Sequence, residues 1–374
     1  MASNPKISNV EEVDDVLKFT LSNINLSYAN AIRRVLLSDV PCIVFKTQPY
    51  EENNVNIKVN KTRMNNELIK QRISCIPINI DIMSNNTFPY DQYIVELSKK
   101  NSTSEIIYAT TEDFKIKNIE TLKYLNVSEV KQIFPPDKIT GDYIDIVRLR
   151  PKLSDNLDEE ELTFEAKLTI SSASEDGMFN VVSTCAYGNT IDVNQVNEAW
   201  KIKEEELKNS FNKEVIDFMK KDWLLTDAKR LYIDDSFDFV IETVGIYSNF
   251  KLMEIATSII IKKLYGSLES LKANSDLISE ATDTMENCYI ITLENEDYTV
   301  GKILEYYLYS KYFQEKKLAN YIGFLKKHPH DTFSIIKIAF KSIVSKDEVI
   351  TLVEEAVDYS IIILNEIKKY FTSD

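Results

Sequence analysis

Two adjacent arginines, Arg33 and Arg34, with Asn30 one helical turn before them, stand in the otherwise apolar segment LSYANAIRRVLLSDVP (26–41) of a chain whose formal net charge is −15. Guanidinium groups bind carboxylates or carbonyl oxygens through two parallel N–H donors, so the chemistry this cluster offers is recognition rather than bond making. On a 3.6-residue wheel, Tyr28, Ala31, Ile32, Val35 and Leu36 share one arc, the expected buried face. Asn30, Arg33, Arg34 and Leu37 share the other. An apolar side chain beside two arginines on an outward face has the composition of a protein-binding surface. The alternative is a solvated arginine pair with one stray leucine.

Other chemistry is sparse. The two histidines, His328 and His330, sit together in KKHPH, a proline-containing loop that could bind a metal weakly or simply expose two imidazoles. Cys42, Cys75, Cys185 and Cys288 lie far apart with no C-x-x-C pair, which reads as reduced structural thiols. No H-E-x-x-H, nucleophile elbow or phosphate-cradling loop occurs among 7 glycines. The 59 acidic residues against 44 basic ones disfavour direct nucleic-acid binding. No 18-residue apolar run exists and the start of the chain is polar and acidic, so neither a membrane span nor a secretory signal is expected.

The elements that must position the arginines follow from periodicity. LKFTLSN alternates Leu17, Phe19 and Leu21 with polar residues, a half-buried strand that turns through Asn23 to Asn25 into the helix. FTLSNINLSYANAIRRVLL (19–37) aligns without gaps on ITLENEDYTVGKILEYYLY (291–309), matching Thr20 to Thr292, Leu21 to Leu293, Asn23 to Asn295 and Leu36 to Leu308. Both copies read strand, polar turn, amphipathic helix, which implies two related units packed as a pseudo-symmetric pair. The second copy has Lys302, Glu305 and Tyr306 where the first has Asn30, Arg33 and Arg34, so the basic patch belongs to one unit only. FDFVIETVGIY reads as a strand, and after it Met253, Ala256, Ile260, Leu264, Leu268 and Leu271 form a helical stripe. After a capping box from Ser345 to Glu348, so do Val349, Leu352, Ala356, Tyr359, Ile363, Ile367 and Tyr370. From about Tyr50 to Glu160, QYIVEL and EIIYATT read as strands and FPPDKITGD as a loop, giving an inserted β-rich domain. KANSDLISEATDTMEN (272–287) reads as a linker.

These residues resemble a known family. LSNINLSYANAIRRVLLSDVPCIVF with NELIKQRISCIPI is similar to the start of the third-largest subunit of eukaryotic RNA polymerase II and, more distantly, to the bacterial alpha subunit. EAKLTISSASEDGMFNVVSTCAYG and FDFVIETVGIY resemble later segments of that subunit. LENEDYTVGKILEYYLY with YIGFLKKHPHDTFSIIKIAF is similar to its small dimerisation partner. The resemblance implies a non-catalytic platform on which the largest and second-largest polymerase subunits dock, as do small zinc-bearing subunits, with little or no direct DNA contact. Magnesium belongs to the large subunits, and this chain is expected to bind no cofactor. Asn30, Arg33 and Arg34 match the helix motif that faces the second-largest subunit, and Leu37, beside them on the wheel, completes the expected partner-binding set. Replacing both arginines by alanine is expected to leave the chain folded while blocking that subunit's recruitment. A fusion of both partners is what some large cytoplasmic DNA viruses carry, and the Asn-, Ile-, Lys- and Tyr-heavy composition suits an AT-rich genome. That implies the host cytoplasm and the virion, or otherwise a soluble intracellular protein.

Three departures accompany the resemblance. The stretch DIMSNNTFPYDQY lacks the cysteines of the zinc loop common in eukaryotic relatives, so no zinc is expected there. Tyr298 and Glu305 replace a histidine and an arginine common in the small partner. No counterpart of the bacterial C-terminal DNA-binding domain is expected. The expected architecture is α+β: an alpha-like dimerisation domain (1–49 and 161–271), an inserted β-rich domain (50–160), the linker, and a second alpha-like α+β unit (288–374). The expected dimerisation residues are Tyr28, Ile32, Val35, Leu36, Ile260, Leu264, Leu304, Leu308, Leu352, Ala356 and Ile363. A free-standing protein-binding adaptor of the same fold is the rival reading, and an enzyme with dispersed carboxylates a third.

Overall fold

The computed structural model describes residues 4–83, 88–152, 158–281 and 285–372. Along the chain run β1 (Lys6–Val13), β2 (Val16–Ser22), α1 (Leu26–Ser38), β3 (Pro41–Val44), β4 (Val55–Asn60), α2 (Asn66–Ser74), β5 (Tyr93–Lys100) and β6 (Ile107–Thr110). Then come β7 (Lys115–Asn118), α3 (Val127–Ile133), β8 (Asp145–Leu149), β9 (Glu161–Lys167), β10 (Thr169–Ser172), β11 (Val182–Ile191), α4 (Val193–Lys208), α5 (Lys213–Leu225) and β12 (Tyr232–Thr243). The remainder is α6 (Asn249–Ala273), β13 (Ile278–Glu280), β14 (Cys288–Glu294), α7 (Tyr298–Leu308), β15 (Ala319–Leu325), β16 (Phe333–Phe340) and α8 (Lys346–Phe371).

These elements form two compact units. The first comprises the residues up to Val35, Thr184–Glu242 and Ala256 onward; the second is Leu36–Ser183 with Thr243–Ile255. In the first unit one sheet runs β1-β2-β12-β11 and another runs β13-β14-β16-β15. The alternation in β2 holds for Leu17, Phe19 and Leu21, which are buried. Thr20 is buried too, because its hydroxyl donates to Asp238 Oδ1 at 2.7 Å and accepts from Asn9 at 3.2 Å, so the polar group is satisfied within the sheet.

The repeat is realised element for element. A shift of 272 residues carries β2 onto β14 and the first residue of α1 onto the first of α7. Asn23 and Asn295 occupy equivalent turn positions and both adopt the left-handed conformation, with φ of 59° and 55°. Asparagine is among the few non-glycine residues that tolerate it. Two places further on, Asn25 Oδ1 accepts from the Ser27 N–H and Asp297 Oδ1 from the Thr299 N–H, each at 2.9 Å, so both helices start on the same kind of side-chain cap.

In the second unit the sheet β4-β9-β5-β7 packs its inner face on α2 and α3 residues around Phe45, Phe114, Phe134 and Phe164, with Phe114 edge-on to Phe134 at 4.9 Å. This unit is wider than the expected 50–160. β9, allotted by sequence to the dimerisation domain, pairs with both β4 and β5, and β10 pairs with β3, so backbone hydrogen bonding draws these segments in. The expected linker 272–287 also differs. It begins inside α6, and β13 pairs with β14 as an edge strand, because Leu277 and Ile278 bury their side chains. Positions 84–87 of the cysteine-free stretch and 282–284 of that linker lie outside the described residues.

Sequence periodicity gave no reading of residues 192–231, which form the helical pair α4 and α5. Val196, Trp200, Ile216, Trp223 and Ala228 build a small core of their own, with the two indole rings 5.4 Å apart. On α8 the buried face includes Val353, Val357, Leu364 and Phe371, while Leu352 and Tyr359 are half-buried and Tyr370 is 43% exposed. A strict three-four spacing drifts around a 26-residue helix, and α8 packs against both α7 and β1, so its apolar arc is broader than one stripe.

Candidate protein-docking site

The first helix is the element that positions the arginine cluster. Tyr28, Ala31, Ile32, Val35 and Leu36 are all buried, so Asn30, Arg33, Arg34 and Leu37 are left on the partly exposed side. The Tyr28 hydroxyl donates to Ser360 Oγ at 3.0 Å, and Ser360 in turn donates to the Ala356 carbonyl one turn back on α8 at 2.7 Å. Burial pushes the Tyr28 phenol well above its ordinary pKa, against a smaller opposing effect of the Ser360 hydrogen bond. The ring also lies edge-on to Tyr306 of α7 at 6.4 Å.

The two arginines have different jobs. Arg33 is held on its own helix: its Nε and Nη2 both donate to Asn30 Oδ1, at 3.1 and 2.9 Å. Arg34 is engaged elsewhere in the chain. Its Nε donates to Thr299 Oγ1 at 3.0 Å and its Nη2 pairs with the Asp297 carboxylate, the residue that caps α7. This differs from the expectation of two equivalent outward arginines. A wheel shows which side of a helix a residue occupies, not what other segment covers that side. Burial alone would raise the Asp297 pKa, but the Thr299 backbone N–H, the Arg34 charge, the Thr299 hydroxyl and Lys263 together outweigh it and hold the carboxyl below its usual range.

Further contacts surround the two copies of the repeat within the first unit. Phe371 at the end of α8 lies edge-on to Phe19 of β2 at 5.4 Å, and Phe19 stacks on Phe239 of β12 at 5.1 Å. Such an aromatic pair contributes about 0.5–1.5 kcal/mol beyond the area it buries. Lys263 of α6 lies 3.7 Å from Glu296, and Lys272 pairs with Glu354 of α8 at 2.5 Å. Among the expected dimerisation residues, Ile260, Leu264, Leu304, Leu308, Ala356 and Ile363 are buried with Tyr28, Ile32, Val35 and Leu36, whereas Leu352 is only half-buried.

The second copy offers different chemistry at the equivalent positions. Glu305, in the place of Arg33, accepts from the Phe324 N–H at 3.0 Å and from Lys302 at 2.5 Å, so it ties α7 to β15. Tyr298 meets the Phe324 ring at 5.2 Å. A Cβ built on Gly301 would lie 1.9 Å from that ring, which explains a glycine inside this helix. His328 and His330 occupy the turn between β15 and β16, where the His330 N–H donates to His328 Nδ1 at 3.2 Å and both residues are exposed. Cys42, Cys185 and Cys288 are buried free thiols and Cys75 an exposed one; burial pushes Cys42 and Cys185 up to about 12. Among the described residues no group of three or more His, Cys, Asp or Glu is arranged to hold a metal ion, and no described helix is long and apolar enough to cross a membrane.

This geometry clasps together side chains from elements far apart in sequence and leaves one helix with a polar, partly exposed face. The chain belongs to the RNA polymerase Rpb3/Rpb11 dimerisation domain family, whose profile matches residues 18–264. It is 24% identical over 274 residues to the DNA-directed RNA polymerase subunit Rpo3 of Methanosphaera stadtmanae, covering 68% of this chain and 93% of that one. Over 74 residues it is 39% identical to subunit 3 of DNA-directed RNA polymerases II, IV and V of Arabidopsis thaliana, a match spanning 20% of this chain and 21% of the relative. A conjugation stage-specific protein of Tetrahymena thermophila is 23% identical over 321 residues, covering 72% of this chain and 95% of the relative.

Proposed function

We propose that this chain is a non-catalytic assembly platform of a multisubunit DNA-dependent RNA polymerase, and that residues 288–374 stand in for the small dimerisation partner, so that one polypeptide forms a pseudo-heterodimer. The observation that carries the reading is the clasp between equivalent elements: Arg34 of the first copy on the helix cap of the second, Asp297 and Thr299, beside the Tyr28–Ser360 hydrogen bond. On this reading the second-largest subunit docks on Asn30, Arg33 and Leu37, while Arg34 fixes the orientation of that face from within. Arg33 retains donors beyond those shared with Asn30, and a partner carboxylate or carbonyl could accept from them in a fixed geometry. The largest subunit, which with the second-largest builds the nucleotidyl-transfer site and holds its magnesium, and small zinc-bearing subunits join the same platform. The fused arrangement suits a large cytoplasmic DNA virus, as does the composition.

The test is affinity purification of the tagged chain from cells that make it, followed by mass spectrometry. Co-purification of both large polymerase subunits is the expected result, with the second-largest lost when Arg33→Glu and Leu37→Asp are combined. A folded chain that captures other proteins and no polymerase subunit would instead identify a free-standing adaptor.

A further inference from the structure

Only seven of the 44 basic residues are arginine, and four of those seven, Arg63, Arg72, Arg148 and Arg150, line a single cleft of about 470 Å³ in the second unit. The local structure explains how they converge. In the antiparallel pair of β6 and β8, Tyr108 lies opposite Arg148, while Ala109, Val147 and Leu149 turn inward and are buried. On α2, Leu68 and Arg72 stand one turn apart, and Arg72 Nη2 donates to the Asp145 carbonyl at 2.7 Å, which ties the helix to β8. Arg63 sits in a tight turn closed by Asn60, whose Oδ1 accepts from the Thr62 N–H and hydroxyl at 3.0 and 2.7 Å and whose Nδ2 donates to the Met64 carbonyl at 2.8 Å.

The charges of these arginines are not equally compensated. Glu160 clasps Arg150 through its Nε and Nη2 at 2.8 and 2.7 Å and accepts from its backbone N–H at 2.7 Å. Arg72 meets only a neutral carbonyl. Among the described residues the side chains of Arg63 and Arg148 have no hydrogen-bond or ion-pair partner. Next to them the cleft wall is apolar: Leu68 and Tyr108 are 50% and 47% exposed, with Met64 half-buried beside them. A chain that spends so few arginines overall thus places three uncompensated guanidinium groups against an exposed aliphatic and aromatic surface.

We propose that this cleft is a docking site for a short acidic segment of a partner protein, with carboxylates on Arg63, Arg148 and the free N–H groups of Arg72, and an aliphatic or aromatic side chain against Leu68 and Tyr108. Planar guanidinium groups match carboxylates bidentately, and an apolar anchor between them supplies desolvation. A nucleic-acid strand fits less well. The cations converge in one concavity beside an apolar wall instead of tracking a backbone. The inference stands on the arginine cleft alone and does not depend on the polymerase reading.

The test uses the full chain and three fluorescein-labelled probes followed by anisotropy: an octapeptide alternating glutamate with leucine, its lysine counterpart, and a short single-stranded DNA. The acidic peptide should bind, bind less at higher salt, and lose about tenfold or more in affinity in the Arg63→Glu/Arg148→Glu variant, whereas Arg230→Glu in the other unit should change little. Because neither residue has a native partner, the double variant should keep its melting temperature; Arg63→Gln/Arg148→Gln gives the same readout without reversed charge. No binding of the acidic peptide, equal binding of the lysine peptide, or undiminished binding by both double variants overturns the proposal. So does tighter binding of the DNA that the double variant abolishes, which would assign the cleft to nucleic acid.

Discussion

Arg34 lies 263 residues from Asp297 in sequence, and the bond between them offers a direct measurement of how firmly the two copies of the repeat hold each other. The side chains are 33% and 32% exposed. Two unit charges 4 Å apart attract by about 4 kcal/mol at an effective dielectric constant of 20, an upper limit. Solvent screening and side-chain ordering reduce exposed pairs to about 0.2–1 kcal/mol. A pair buried to two thirds, braced by the Thr299 hydroxyl, falls between, and a coupling of about 1–2 kcal/mol is expected. Arg34→Ala alone should cost about 2 kcal/mol, because it also removes the bond to Thr299 and the packing of the aliphatic stem. With two compact units, one bulk melting curve is a poor assay. Hydrogen exchange read by mass spectrometry on peptides covering α7 resolves the relevant opening instead. The four proteins of the cycle are the parent chain, Arg34→Ala, Asp297→Ala and the double variant. A coupling below about 0.3 kcal/mol would show that the pair does not hold the copies together and would refute this reasoning. Arg33→Ala, which loses hydrogen bonds only within its own helix, should leave the same peptides unchanged.

Three further outcomes are expected. Gly301→Ala should destabilise the second copy by about 1–3 kcal/mol, since the clash with the Phe324 ring exceeds the gain in helix propensity of about 1 kcal/mol; hydrogen exchange on peptides covering α7 in this variant and in Gly301→Ala/Phe324→Ala, which should recover part of the loss, checks it. The Asp297 carboxyl has a folded pKa below its ordinary value, so its stabilising effect is complete above the usual carboxylate pKa of about 3.9 and disappears as pH falls through the lowered value. Urea midpoints measured from about pH 2 to pH 6 should lose that acid limb in Asp297→Asn. Trp200→Ala should cost about 3–5 kcal/mol locally, seen as loss of exchange protection confined to α4 and α5, because that small core contains only five buried residues.

Much of the scaffold could be read from periodicity. The arc of α1, the stripe of α6 and the capping box of α8 depend on residues close in sequence, and all three are observed, Ser345 accepting from the Glu348 N–H at 3.3 Å and Glu348 returning the bond at 2.7 Å. The repeat was visible through only four identities, yet its strand bounds and helix starts coincide, because a strand, a left-handed asparagine and a capped helix recur at one spacing. What sequence did not disclose is set by tertiary pairing. β9 looks like any alternating strand until its neighbours are known, β13 has only Leu277 and Ile278 to mark it, and the partner of Arg34 lies in the other copy. The helices α4 and α5 did leave a signal, in Trp200 and Trp223 within a stretch free of glycine and proline from residue 189 to residue 244. The arginine cleft left one as well, in the rarity of arginine elsewhere.

The covalent joining of the two copies has a kinetic corollary. Their encounter is unimolecular, with an effective local concentration on the order of millimolar for short tethers, so dilution cannot pull them apart and synthesis cannot leave one in excess of the other. A change in Asp297 or Thr299 can therefore be answered by a change in Arg34 inherited on the same reading frame, leaving this contact free to drift in chemistry while its stoichiometry stays fixed at one to one.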